Sequence, residues 1–530
     1  MNGRRWLGAS LLTMVMGVAL LSAQSGSGQR LRGFSAIASE AQLARERDFK
    51  ALPSGKIAES YFDVLTAEPH HTGSPYEIKL ADYVAERFRE FGMEVGRYEY
   101  GVVIPWPGER IVEIVSPTPT KLQVEEEALP GDAYAAQPGI LPAYNAYSPS
   151  GDVTGDLVYV NYGIPADYET LRKLGIDVKG KIVLARYGGS WRGIKPKVAA
   201  EHGAIACIIY SDPKEDGFFQ GDAYPNGPYR GPGMVQRGSV MDMPLHPGDP
   251  TTPDRPSKEG VERLPMNQVN TFAAVPVLPM SYREGQKLLE QLTGPVAPDN
   301  WRGALPLTYH IGPGPAKVRM KLQMDYGQRR LINVTGRIAG AEFPDEWVIV
   351  GSHRDAWTFG ASDSISGHAS MMDVARSFGE LRKKGWKPKR SILFVSWDGE
   401  EQGLLGSTEW VEDLGAELKA KAVVYINRDA GASKGSFSSS AVHSLTPFVM
   451  DLARAVQDPE QPAKTLYDRW LERAREQSPP KDGAPPLEAP PVGALGSGSD
   501  YTAFLDHIGV SSLDMGISGE GAGEIGRAHV

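Results

Sequence analysis

The chain has 530 residues, which is too long for one ordinary hydrophobic core, so two or three domains are expected. Its composition, 41% hydrophobic and 23% charged with 60 Gly and 41 Pro, is that of a globular protein with many loops. A formal net charge of -9 without a long basic run disfavours nucleic-acid binding.

The N-terminus has the pattern of an export signal. Arg4 and Arg5 precede the apolar run WLGASLLTMVMGVALL, and small residues offer a cleavage site near Ala23. Residues 1–23 are therefore predicted to be a signal peptide, which places the protein in the periplasm or outside the cell. An uncleaved membrane anchor is the alternative, although the apolar run is short for a membrane span.

Residues 24–100 are predicted to be the first part of an α/β domain. The segment KLADYVAERFREFG has helical periodicity, with one apolar face. That face comprises Leu80, Tyr83, Val84, Phe88 and Phe91. The helix has too little core of its own, so we expect an α/β domain that is interrupted by an insertion.

Residues 101–328 are predicted to be that insertion. They are rich in Pro, Gly and Tyr, with short β-branched runs such as DLVYV, KIVLARY and AIACIIYSD. This composition and these short runs predict a mostly β module with a helix or two. The single cysteine, Cys207, lies in one of these runs and is interpreted as a core strand residue.

From residue 329 to 523 apolar strands alternate with helices. RLINVTGRI, EWVIVGSH, SILFVSWD and AVVYINRD are predicted strands, with helices expected from Ser366 to Lys384 and from Leu404. This alternation is typical of a sheet that is covered by helices on both faces. The Pro/Gly-rich segment 478–499 is predicted to be a loop within this domain.

Potential metal ligands follow the strands of this last section. They are His353 with Asp355, then Asp363, then Asp398, Glu400 and Glu401, and finally Asp429. Each of these residues alone has an ordinary structural explanation. Asp363 could cap the N-terminus of a helix, and Glu400 and Glu401 could interact favourably with the dipole of the helix that they begin. Together they converge on the carboxyl ends of the strands, where α/β sheets bind ligands. Imidazole and carboxylates without thiols favour zinc or a similar divalent ion, with one or two ions left open.

The segments GSHRDAWTFGASD, SWDGEEQGLLGSTEW and YINRDA resemble the M28 metallopeptidases, in the branch of glutamate carboxypeptidase II and the transferrin receptor. YGGSWRGIKPKVAAEHGAIACIIYSDP is similar to the protease-associated domain of that branch. The resemblance covers nearly all of residues 55–520. It implies a zinc aminopeptidase-like fold, a mixed sheet flanked by helices, with a β-rich protease-associated insertion.

The resemblance also implies two zinc ions bridged by Asp363. His353 and Asp429 would complete one site, and Glu401 would belong to the other. Glu400 would be the general base that takes a proton from a bridging water, with Asp355 and Asp398 as supporting residues that do not bind the metal. The same branch carries calcium between the two domains, and its ligands would fall at Thr252, Arg255 (through its carbonyl), Glu409 and Glu412. Ordinary surface acids are the alternative there.

The chain departs from the family at its C-terminal end. The histidine of the second zinc site is not found at its expected place, since His529 has neighbours that do not match. Residues 524–530, EIGRAHV, match the translation of a common sequencing adapter and are predicted to be a non-native tail. A helical dimerisation domain is predicted to be missing, so a homodimer is expected for the full-length protein.

The residues that would hold an acidic substrate are also changed. Arg192 is kept, but Ser239, Ser499, Asp514 and Gly516 occupy positions where the carboxypeptidase has asparagines and arginines. We therefore expect a broader exopeptidase, with Arg192, Ser239 and Ser499 in the substrate site and with amino- or carboxypeptidase action left open. The alternative function is a non-catalytic binding protein like the transferrin receptor, which keeps the fold and loses its metal ligands.

Overall fold

A computed structural model describes residues 30–129, 131–431, 435–480 and 484–518. The predicted signal peptide, His529 and the predicted tail lie outside these residues. Among the described residues, no helix combines the length and the apolar character that a bilayer crossing requires.

The N-terminal section is helical, as predicted. Its helices are α1 (Ala36–Lys50), α2 (Gly55–Leu65) and α3 (Pro75–Glu90). Ser74 caps the N-terminus of α3, because its hydroxyl accepts a hydrogen bond from the backbone amide of Glu77. Pro75 suits the first turn of this helix. Leu80, Val84 and Phe88 are fully buried, which confirms the predicted apolar face.

The inserted module lies between two long strands. Its elements, in chain order, are β1 (Glu94–Ser116), β2 (Thr120–Lys121), β3 (Asn145–Ala146), β4 (Gly151–Tyr159), α4 (Pro165–Lys173), β5 (Ile182–Arg186), α5 (Ile194–Glu201), β6 (Ala206–Tyr210), β7 (Gly238–Ser239), β8 (Val277–Met280), α6 (Tyr282–Leu289) and β9 (Lys317–Ile338). Strands β4, β5, β6 and β8 are parallel neighbours, and helices lie between them in the chain, so the module is less purely β than its composition suggests. Cys207 is fully buried in β6, as predicted.

The C-terminal section holds the remaining elements. They are β10 (Phe343–His353), α7 (Ile365–Lys383), β11 (Arg390–Trp397), α8 (Glu400–Gly403), α9 (Leu405–Lys421), β12 (Ala422–Asn427), β13 (Ser436–Ala441), α10 (Thr446–Ala455), α11 (Leu466–Gln477) and β14 (Ser512–Ser518). Short 3₁₀ turns and a π-helical turn at Ala503–His507 complete the described structure.

One large mixed sheet joins both modules. Its strand order is β13-β14-β12-β10-β11-β9-β4-β5-β6-β8, and β1 pairs with β9 along almost its whole length. Strand β9 pairs with β4 at its start, from Lys317 to Leu322, and with β11 at its end, from Val334 to Ile338. The β1–β9 ribbon therefore runs from one module into the other.

Both faces of the C-terminal part of the sheet are covered. Along β11, Phe394 packs on the side of α2, α3 and α7, while Leu393 and Val395 pack on the other side with Trp410 of α9. This alternation follows the two-residue period of a strand. The predicted α/β fold, a mixed sheet covered by helices with an insertion, is therefore confirmed.

Candidate metal centre

The predicted ligands meet because their strands are parallel neighbours. Strand β10 pairs with β11, with His353 opposite Trp397, and with β12, with Gly351 opposite Asn427. Asp398 is the first residue after β11 and Asp429 is the second residue after β12, at the same edge of the sheet.

His353 is at the centre of this edge and is completely buried. Its Nε2 atom lies 2.9 Å from Asp429 Oδ1 and 3.2 Å from Asp363 Oδ1. Side-chain ligand atoms of His353, Glu400 and Asp429 all lie within 4.8 Å of one another. The structure therefore brings together four of the predicted functional residues.

Asp355 contacts the imidazole of His353 at Nδ1, and its predicted orienting role stays a prediction. His353 Nδ1 lies 3.2 Å from the Asp355 carbonyl oxygen and 3.5 Å from Oδ1 of the same residue. The Asp355 carboxylate also accepts the backbone amides of Glu400, at 3.0 Å, and Glu401, at 3.3 Å. Burial alone would raise the pKa of Asp355, but the hydrogen bond and charge of His353 lower it.

Asp398 lies behind the centre, in a buried network of charges. Its Oδ2 accepts the Ile332 amide at 2.9 Å and lies 3.5 Å from Arg354 Nη2. Arg354 Nε in turn lies 2.8 Å from Glu77 Oε1, and both of these side chains are fully buried. Burial raises the pKa of Asp398 to about 6, against the opposing charge of Arg354. Asp398 therefore belongs to a buried network with Ile332 and Arg354, and its predicted role as a residue that does not bind the metal stays a prediction.

The two neighbouring glutamates, Glu400 and Glu401, follow a sharp turn after β11. Gly399 has φ +78°, a left-handed conformation that lets the chain turn sharply out of β11 into α8. Glu400 joins the His353 group, whereas Glu401 lies close enough to Tyr144 for its charge to help raise the pKa of that phenol, after the larger effect of burial. Burial also raises the pKa of Glu400 well above its usual range, and Asp429 adds to that effect against His353.

Asp500 is an acid of this site that the sequence interpretation missed. It is 1% exposed, and burial raises its pKa to about 7, with His353 opposing and Asp429 adding to the shift. Its neighbour Ser499 donates a hydrogen bond to Asp429 and accepts one from Asn427 Nδ2 at 2.9 Å. The sequence feature that could have indicated Asp500 is the run GSGSD, which ends the Pro/Gly-rich loop with an acid.

The other predicted substrate residues, Arg192 and Ser239, lie in the inserted module. The Arg192 guanidinium stacks on the Trp191 ring, 4.6 Å from its centroid, and closely approaches Gly238, where a Cβ atom would lie 2.3 Å from Arg192 Cζ. Ser239 is fully buried, and its hydroxyl accepts the Met241 amide at 3.2 Å. Asp514, on β14, accepts Asn427 Nδ2 at 3.0 Å, and burial raises its pKa to about 6.

The predicted calcium ligands lie where the insertion meets α9. The Glu409 carboxylate accepts the backbone amides of Asp249, at 2.8 Å, and Ser257. Thr252 Oγ1 lies 2.6 Å from Ser257 Oγ, and Arg255 is exposed. Glu412 is close to a different pair, His246 and Asp254.

The residues around His353 fit a zinc ion. A buried imidazole has one nitrogen held by Asp355 and the other directed at two carboxylates, which is the usual support of a metal-bound histidine. Several buried carboxylates in one place repel one another, and a divalent cation removes that conflict. One nitrogen and several carboxylate oxygens form a donor set that zinc accepts.

Comparison with known proteins agrees with this fold. An aminopeptidase from Aneurinibacillus sp. is superimposable with a TM-score of 0.52, at 20% identity, over 89% of this chain and 87% of that one. A zinc aminopeptidase from Bacillus subtilis gives the same TM-score at 17% identity, over 88% and 86% of the two chains. The fold is therefore that of the zinc aminopeptidases.

Family models match peptidase family M28 over residues 333–520 and the PA domain over residues 153–242. A glutamate carboxypeptidase 2 homolog from Caenorhabditis briggsae is 32% identical over 95% of this chain and 68% of its own length. A probable glutamate carboxypeptidase from Arthroderma benhamiae is 40% identical over 83% of this chain and 60% of its own length. The aminopeptidase NAALADL1 of Rattus norvegicus is 35% identical over 88% of this chain and 64% of its own length. The chain belongs to peptidase family M28, as predicted, and spans about three fifths of the length of these last two relatives.

Proposed function

We propose that the protein is a zinc-dependent exopeptidase that hydrolyses small peptides. The observation that carries this proposal is the arrangement of His353, with one ring nitrogen held by Asp355 and the other directed at Asp363 and Asp429. A binding protein that had lost its metal would have no need to bury these charges around one imidazole.

His353, Asp363 and Asp429 would hold one zinc ion, and Asp363 with Glu401 would contribute to a second. Bound zinc supplies a Lewis acid that polarises the peptide carbonyl and makes water easier to deprotonate. Glu400 accepts the proton of the attacking water and returns it to the leaving amine. Glu400 is placed for this role because a carboxylate oxygen of Glu400 lies within 4.8 Å of the ligand atoms of His353 and Asp429.

The substrate class follows from the charges around the centre. The site gathers buried or half-buried acids, including Asp500 and Asp514, and the retained cation Arg192 lies against Trp191. An acidic side chain would meet few cationic partners there. We propose broad specificity for neutral peptides, which hydrolysis of neutral and C-terminally acidic dipeptides side by side would test. A strict preference for C-terminal Glu would contradict it.

Export and dimerisation complete the proposal. Arg4, Arg5 and the apolar run after them support export, which N-terminal sequencing of the protein from the periplasm or the medium would test. A homodimer is proposed because of the family resemblance, and sedimentation analysis would measure it. Calcium at Thr252, Arg255, Glu409 and Glu412 stays a prediction of the resemblance.

The test of the activity is zinc analysis together with dipeptide hydrolysis on the wild type and Glu400→Gln. We expect the variant to keep its zinc and to lose hydrolysis, because the substitution removes the proton acceptor and keeps the shape of the side chain. Hydrolysis that survives in Glu400→Gln would exclude Glu400 as the base. Absence of both zinc and hydrolysis in the wild type would favour the binding-protein alternative.

A further inference from the structure

A row of side-chain hydrogen bonds runs from the core of the peptidase domain to the metal centre. Trp397 Nε1 donates to the Tyr425 hydroxyl at 2.8 Å, and that hydroxyl lies 3.0 Å from Asn427 Oδ1. Asn427 Nδ2 lies 2.9 Å from Ser499 Oγ, which contacts Asp429 Oδ2. The first three side chains are fully buried, and Ser499 is 4% exposed. We call these five residues the hydrogen-bond chain.

The orientation of the Asn427 amide is fixed by Asp514. Asp514 Oδ1 lies 3.0 Å from Asn427 Nδ2. A carboxylate can only accept hydrogen bonds, so the nitrogen of the amide faces Asp514 and the oxygen is turned away. That nitrogen carries two hydrogens, and the second one serves Ser499 Oγ. The amide oxygen is left facing Tyr425 as an acceptor.

The direction of the remaining bonds follows from the indole end. An indole nitrogen can only donate, so the Tyr425 oxygen accepts from Trp397. Burial raises the pKa of Tyr425 well above its ordinary value, so its hydroxyl keeps the proton and donates it to Asn427 Oδ1. Every donor in the hydrogen-bond chain therefore points toward the metal centre.

The last donor of the chain is the Ser499 hydroxyl. Ser499 Oγ already accepts from Asn427, and it donates its single proton to Asp429 Oδ2. The other carboxylate oxygen of Asp429, Oδ1, lies 2.9 Å from His353 Nε2. Ser499 thus holds one oxygen of the carboxylate while the other faces the imidazole, which sets the rotation of the whole group.

The chain begins on side chains that are held by close packing. The Tyr425 ring stacks on the Phe504 ring, with centroids 4.1 Å apart and planes 6° apart. The centroid of the Trp397 ring lies 6.0 Å from that of Phe504. Asn427 belongs to β12, which pairs with β10 on one side and with β14 on the other. The position of the Asp429 carboxylate is therefore tied to the core of the domain.

We infer that Ser499 is a positioning residue for the metal ligand Asp429, and that Asn427 and Tyr425 hold Ser499 in place. The inference rests on the proposed zinc centre. It differs from the predicted substrate role of Ser499, because the only proton of this hydroxyl is used on Asp429. Ser499 and Asp514 occupy positions that the family resemblance assigns to binding of an acidic substrate. In this chain the two residues instead direct the Asn427 amide and the Asp429 carboxylate.

Two variants interrupt the hydrogen-bond chain at different points. Ser499→Ala removes the donor to Asp429. Tyr425→Phe removes a hydroxyl that does not contact the metal centre, and it keeps the ring that stacks on Phe504. Zinc affinity is measured by chelator competition, and the zinc that belongs to this centre is the part that His353→Ala loses. The visible absorption of the cobalt-substituted protein reports the geometry of the ligands.

Each variant has a matched control that removes a fully buried hydroxyl elsewhere. Ser377→Ala removes a hydroxyl of α7 that donates to the Asp373 carbonyl at 2.8 Å. Tyr159→Phe removes a hydroxyl of the insertion that donates to the Trp301 carbonyl at 2.8 Å. Both controls lose a hydrogen bond that stabilises the fold, so they separate a general loss of stability from an effect on the metal.

We expect Ser499→Ala to lower the zinc affinity by at least about tenfold, as for other partners of metal ligands. Tyr425→Phe should lower it by about two- to tenfold, the value of one hydrogen bond. Both variants should shift the cobalt spectrum, and both controls should keep the wild-type affinity and spectrum.

Equal zinc affinity and equal cobalt spectra in Ser499→Ala and Ser377→Ala would overturn the inference. A raised KM for dipeptides in Ser499→Ala, with unchanged zinc affinity, would also overturn it and would support the substrate role. Both results leave the proposed function intact, because the wild type still binds zinc. A wild type that binds no zinc would overturn the proposed function, and this inference with it.

Discussion

Replacing Asp355 by Asn tests whether the charge behind His353 prepares it for zinc. The carboxylate lies 3.5 Å from His353 Nδ1 and also accepts the amides of Glu400 and Glu401. The variant removes that charge and places an amide group where the backbone donors are. Loss of such a partner lowers metal affinity by about 10–100-fold, or about 1.4–2.7 kcal/mol of binding free energy.

The backbone amides add a cost in folding. Asp355 is completely buried, so an Asn nitrogen that faces an amide leaves a buried donor unsatisfied, which costs about 1–3 kcal/mol of unfolding free energy. Zinc affinity is measured by chelator competition, and stability by urea unfolding of the zinc-free protein.

Asp398→Asn is the matched control for Asp355→Asn. Asp398 is equally buried and belongs to the same charge network, but its Oδ2 contacts the Ile332 amide and Arg354 rather than His353. The control should lose stability and keep its zinc affinity. If Asp355→Asn binds zinc as tightly as Asp398→Asn, the proposed orienting role of Asp355 is wrong.

Three further predictions concern buried groups. Glu77→Gln should lower the unfolding free energy by about 3 kcal/mol, measured in urea, because it removes the carboxylate 2.8 Å from the Nε atom of the buried Arg354; an unchanged midpoint would contradict this. Burial lowers the pKa of His71 to about 4, so the unfolded chain binds more protons between pH 6.5 and 4. The contribution of His71 to the free energy of unfolding is therefore fully present above pH 6.5 and is lost as the pH falls toward 4. Between pH 7 and pH 5 the free energy of unfolding of the wild type should fall by about 2 kcal/mol more than that of His71→Asn. Burial raises the pKa of Cys207 to about 12, so the folded protein should not react with a thiol reagent at pH 8, whereas the urea-unfolded protein should.

The main elements of the fold could be predicted because their signals are local. Helix α3 has a cap at Ser74 and an apolar face that includes Leu80 and Val84, so its position follows from a short segment. Acidic residues follow within two positions of the ends of β10, β11 and β12. Because these strands pair in parallel, the acids come together at one edge of the sheet.

The missed features depend on contacts between distant residues. Glu77 meets Arg354, 277 positions later, across the boundary of the insertion. Asp500 reaches the centre from the end of a loop without any periodic pattern, and His246 meets Glu412 only after the two modules pack. No local propensity encodes such pairs, because tertiary packing alone determines which buried charges become neighbours.

The central claim is that Glu400 and a zinc centre built on His353 hydrolyse peptides. Dipeptide hydrolysis and zinc content, measured together on the wild type, Glu400→Gln and His353→Ala, test it most directly. We predict zinc without hydrolysis in Glu400→Gln, and loss of both the zinc of this centre and hydrolysis in His353→Ala. Hydrolysis that persists in either variant would contradict the claim.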